Sequence, residues 1–82
     1  MFGRQMSDLP VQHFLSIYET RLGMIEKGTT HPKPAVIDGV RRLVAGLRKL
    51  DPKEGIRVDA NKERYIFTRA STGELVAQID VE

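Results

Sequence analysis

The chain has no cysteine and no tryptophan. Without thiols there is no disulfide to staple the fold and no thiolate to hold a metal. The two histidines, His13 and His31, are far apart in sequence, and no carboxylates flank them in a ligand-like spacing, so no metal site is expected. Long apolar runs are also missing. Nothing approaches the roughly 20 residues that a membrane-spanning helix needs. The opening Met1-Phe2-Gly3-Arg4-Gln5-Met6 lacks the apolar stretch of a secretory signal. The expected compartment is cytoplasmic, which suits a cysteine-free chain. The glycines are scattered, and no phosphate-binding loop, hydrolase elbow, zinc-binding histidine pair or calcium loop can be found. No catalytic residue, cofactor or small-molecule substrate is expected, and the chain is not expected to be an enzyme. Charge of one sign is not in large excess either, since 13 basic residues against 11 acidic ones leave a net +2.

What remains is one small domain. With 82 residues the chain has room for no more, and so short a chain makes a thin core. Scaffolds of this size usually add a disulfide, a metal or a second subunit. Here the expectation falls on self-association, as a homodimer, or on another protein partner.

Residues 1–7 are expected to be loose, with the folded part beginning near Asp8. Between Asp8 and Lys27 the apolar residues Val11, Phe14, Leu15, Tyr18, Leu22 and Ile25 trace one face of a helix. Ser7 or Asp8 can cap it, Pro10 suits its first turn, and Gly28 ends it. Ile17 and Met24 form a second apolar stripe off that face, to be covered by the rest of the fold or by another subunit. The connector Thr29-Thr30-His31-Pro32-Lys33-Pro34 is stiff. From residue 34 to 50 the seam Val36, Val40, Leu43, Leu47 and Leu50, with Ile37 and Val44 beside it, predicts a second, core-facing helix, stopped by Asp51-Pro52. Gly39 and Gly46 lie seven apart on it; such small residues either allow another backbone to approach or are neutral surface positions, with the first reading preferred.

The period then changes from helical to alternating. Strands are expected at 56–60, 64–70 and 75–81, joined by a tight turn at Asn61-Lys62 and a loop at Ser71-Thr72-Gly73. Short connections make them an antiparallel meander. The expected fold is therefore α+β: two N-terminal helices packed on a three-stranded meander, in ααβββ order. The central strand carries apolar groups on both faces. If the uncovered face holds Tyr65 and Phe67, an aromatic patch is exposed; if it holds Ile66, the patch is smaller.

Two surfaces are candidates for a partner. Tyr65, Phe67, Ile17 and Met24 form an apolar set suited to another protein. Arg41, Arg42, Arg48 and Lys49 share the solvent side of the second helix and suit nucleic acid or an acidic partner. Asp38 stands among them, acidic residues follow closely, and no aromatic is spaced to stack bases, so the protein-interaction reading leads.

Residues 35–82 also carry a recognisable order of motifs. An amphipathic helix is followed by Ile56-Arg57-Val58-Asp59, a polar turn, a β-rich run, and then Thr72-Gly73-Glu74-Leu75-Val76-Ala77-Gln78-Ile79. This resembles the C-terminal part of FlaG-type flagellar proteins, although Asp80 stands where that family has proline. The resemblance implies a non-enzymatic accessory of the flagellar filament or its export.

Overall fold

The structure is a computed structural model that describes residues 8–80. The expectations for residues 1–7 and for Val81 fall outside the described residues. In chain order the elements are β1 (Leu9–Pro10), α1 (Val11–Lys27), α2 (Pro34–Arg48), β2 (Gly55–Ala60), β3 (Arg64–Arg69) and β4 (Leu75–Asp80). The sheet order is β1-β2-β3-β4, and every neighbouring pair is antiparallel.

The α+β class and the meander match the sequence reading, but the sheet has four strands rather than three. The added strand is β1, only two residues long, which pairs Leu9 with Ile56 and Pro10 with Gly55. Two residues have no periodicity to read, and Pro10 looks equally suited to a helix start. Pro10 is instead extended, with φ −71° and ψ 154°, and α1 begins after it at Val11. No side chain caps this helix. The loop before β2 does so, because Val11 N–H donates to the Glu54 carbonyl at 2.8 Å and Gln12 N–H to the Pro52 carbonyl at 3.0 Å. Two of the four orphan amides of a helix start are thus satisfied by tertiary contact.

At its other end α1 stops as the sequence indicates. Gly28 adopts φ 79°, and Gly28 and Thr29 N–H return to the carbonyls of Ile25 and Met24. Both bonds belong to the Schellman pattern, which needs the left-handed residue that glycine supplies without strain.

α2 is the central helix of the core. Val36, Val40, Leu43, Val44 and Leu47 are all buried, whereas α1 buries only Val11 and Phe14. Opposite them lie Ile56 and Val58 of β2, Phe67 of β3, and Ala77 and Ile79 of β4. No polar or charged residue is buried among the described residues. α2 lies close along β4. A Cβ on Gly39 would come within 3.0 Å of the Gln78 carbonyl oxygen and 3.1 Å of Ile79 Cα. One on Gly46 would press on a Val76 methyl at 3.0 Å and lie in ordinary contact with the Val76 carbonyl oxygen at 3.6 Å.

β3 shows which of its faces is covered. Phe67 is buried under the helices, Tyr65 shares its side of the strand, and the uncovered face carries Ile66. The smaller of the two anticipated patches is the real one. Within β4 a bulge breaks the simple alternation: Phe67 pairs with Ala77, yet Thr68 pairs with Leu75. The extra residue, Val76, packs against the core, and Leu75 is left half exposed.

Candidate protein-interaction surface

α1 borders the most distinctive surface. Its first turns are held to the sheet by aromatic rings. Phe14 and Tyr18 each meet the Phe67 ring edge-on, with centroids 5.8 and 5.6 Å apart. Beside these rings, between α1 and the β2–β3 hairpin, lies a hollow of about 260 Å3. Its lining includes Phe14, Ile17, Tyr18, Val58, Tyr65 and Phe67, with His13 at its side. A second, broader hollow of about 530 Å3 lies where the connector folds back along α1. Ile17, Met24 and Pro32 form its apolar wall, and Thr20, Arg21 and His31 its polar part. Ile17 lines both hollows, so the two form one continuous strip.

Of the four large apolar side chains that stand exposed among the described residues, three, Ile17 at 50%, Met24 at 46% and Tyr65 at 38%, lie on this strip. The sequence groups them with Phe67; in the structure Ile17, Tyr65 and Phe67 line the first hollow, and Ile17 and Met24 the second. Their roles differ, however. Phe67 is the floor of the first hollow and belongs to the core. Ile17 and Met24, the second stripe of the first helix, are gripped neither by α2 nor by the sheet. Phe14 and Tyr18 were assigned to the core face alone, and their part in the hollow could not be read from helical periodicity, which places residues on a face without saying how far the helix tilts.

Charge on the strip is one-sided. No carboxylate lines either hollow, while Arg21, His13 and His31 do. Partial burial raises the Tyr18 hydroxyl pKa above its ordinary value of 10.0, an effect opposed by the nearby Arg21 charge and reinforced by Tyr65.

The basic set on α2 is less coherent. Arg48 is engaged by Glu19 of α1 at 2.9 Å. Arg42 shares a hollow beside β4 with Asp38 and Asp80. Lys49 lies near Glu74 in another. Arg41 is exposed. The four therefore spread around the helix among carboxylates rather than forming one positive face.

The best-ordered polar cluster is elsewhere. Arg69 grips both carboxylate oxygens of Glu54 and reaches Glu74 at 3.0 Å, and the Ser71 hydroxyl donates to Glu54 at 3.1 Å. The Arg69 hydrogen bonds hold the Glu54 carboxyl below its usual range. This cluster joins the loop that caps α1 to the β3–β4 hairpin, so its role is structural. Among the described residues no group of three or more His, Asp or Glu side chains could hold a metal. No described helix is long and apolar enough to cross a membrane.

Fold and surface together define a class: a small α+β domain with an apolar strip between its outer helix and its sheet. Beyond the class, kinship gives no guide. No protein-family model matches the chain, and neither a curated protein nor a solved structure matches it.

Proposed function

We propose that this domain is a non-enzymatic protein-interaction module, an adaptor or accessory protein that binds its partner through the strip formed by Ile17, Met24 and Tyr65. One observation carries this reading. Three large apolar side chains stand in water along two joined hollows, although the core of the same chain is otherwise well closed. Since each is already half or more buried, completing its burial would return on the order of 1 kcal/mol, which a partner can recover.

The open sheet margin supports the same reading. β1 covers β2 only at Gly55 and Ile56, so the edge from Arg57 to Ala60 has no strand partner among the described residues. Val58 and Ala60 of that edge line the first hollow. A flagellar setting, as filament or export accessory, is the one that the likeness of residues 35–82 implies, and it suits a binding domain without chemistry of its own.

The test uses the whole chain and a variant carrying Ile17→Asp, Met24→Asp and Tyr65→Asp. All three side chains are exposed, so the variant is expected to keep its circular dichroism spectrum. A partner held by the wild type and released by the variant supports the proposal. A partner held equally by both, or self-association unaffected by the changes, counts against it. Binding to a labelled duplex that weakens steeply with salt would shift the assignment to α2, with Arg41, Arg42 and Lys49 as the contacts.

A further inference from the structure

We infer that the strip receives an acidic segment of a different protein, whose bulky apolar side chains enter the two hollows while its carboxylates meet Arg21. This inference rests on the interaction role proposed above and names the chemistry of the partner.

The charge distribution carries it. Arg48, Arg57, Arg64 and Arg69 each have a carboxylate within 4.0 Å. Arg21 makes no ion pair among the described residues, yet it stands between Ile17 and Met24 on the wall of the broader hollow. His31 lies in the same hollow and His13 in its neighbour, and no acidic side chain lines either. A carboxylate arriving here gains a charge-assisted hydrogen bond to a guanidinium set between apolar side chains that its neighbours in the partner can cover.

The same arginine argues against other occupants. A second copy docking strip to strip would present the same lining, with Arg21 and no carboxylate, and so offers no acidic complement. Residues 1–7 of the chain itself contain Arg4 and no carboxylate, so they offer no complement. An anionic membrane surface would match the charge. It would not match the shape, because interfacial helices insert a convex apolar face flanked by many lysines and arginines, and here the apolar groups line concave hollows with one arginine.

The experiment is a selection of random peptides displayed on phage against the full chain, followed by titration of synthetic copies. Recovered peptides are expected to share one or more bulky apolar residues with neighbouring Asp or Glu. Arg21→Glu is expected to weaken them at least about tenfold, as is replacing their carboxylates by amides. A peptide whose acidic residue is changed to lysine should regain affinity for the Arg21→Glu variant. Peptides that need Ile17 and Tyr65 but no carboxylate would overturn this inference and leave the interaction role standing. If selection yields no peptide sensitive to Ile17→Asp, both fall. Tighter binding to vesicles of anionic phospholipid than to any recovered peptide would also overturn it.

Discussion

Phe67 is where the core and the binding strip meet. Its ring is enclosed edge-on by Phe14 and Tyr18, and it is almost wholly buried. Removing it leaves a cavity beneath α1, so Phe67→Ala should cost about 3–5 kcal/mol in urea-induced unfolding. Tyr65, two residues away on the same side of β3, is over a third exposed. Tyr65→Ser is accordingly expected to cost less than about 1 kcal/mol in the same assay. Tyr18 offers a direct probe of the strip's electrostatics. Its hydroxyl should titrate above the ordinary tyrosine range by ultraviolet absorbance, and Arg21→Ala should move it higher still, since the arginine charge favours the phenolate. Glu54 has the opposite behaviour. Its folded-state pKa lies below the ordinary 4.5, so the stability it contributes is present above that value and is lost as pH falls through the lowered one. Glu54→Gln should therefore flatten the acid limb of a stability-versus-pH curve while lowering stability at neutral pH.

Among the elements, the two helices behave differently for reasons visible in their packing. α2 buries five large apolar side chains and lies close on β4, while α1 buries two, both in its first turns. Amide hydrogen exchange should follow this division, with α1 beyond Tyr18 exchanging well before α2. Gly39 is the sharper test of the close contact. A methyl there meets backbone atoms of Gln78 and Ile79 that cannot rotate away. Gly39→Ala should destabilise by about 1–3 kcal/mol, as overpacking does, despite the gain in helix propensity. Gly46→Ala is tight only against the Val76 methyl, the Val76 carbonyl oxygen standing at ordinary contact distance, and its propensity gain of up to about 1 kcal/mol should leave it near neutral. Chemical denaturation of the two variants side by side checks both. The seven-residue spacing of these glycines had suggested a close backbone approach from sequence alone; the backbone they admit is that of β4, within the same chain.

At the scale of the whole molecule, the sheet is covered on one face only, and the outer helix is held more firmly at its start than along its length. The loop from Asp51 to Glu54 is the tie. It caps α1 through two carbonyls and is itself clamped to Arg69 of β3. Loosening that tie should therefore be felt at the strip, since α1 forms one wall of both hollows. Much of this plan was legible beforehand. The buried face of α2, the Gly28 stop, the two hairpin turns and the apolar stripe of Ile17 and Met24 all follow from local spacing, because helix and strand periods are set within a few residues. β1 was not legible, since two residues have no period, and neither was the Val76 bulge, which turns Leu75 away from the core.

Local sequence thus determined the two helices and the three longer strands, where α1 ends, and which residues form the seam of α2. Only the tertiary structure decided the face of β3 that is covered, since Tyr65 and Phe67 on one side and Ile66 on the other make its two faces comparable in apolar content. It also decided that Ile17, Met24 and Tyr65 stand together in solvent. Their position depends on how α1 packs against the sheet, where the rings of Phe14, Tyr18 and Phe67 meet across elements distant in the chain.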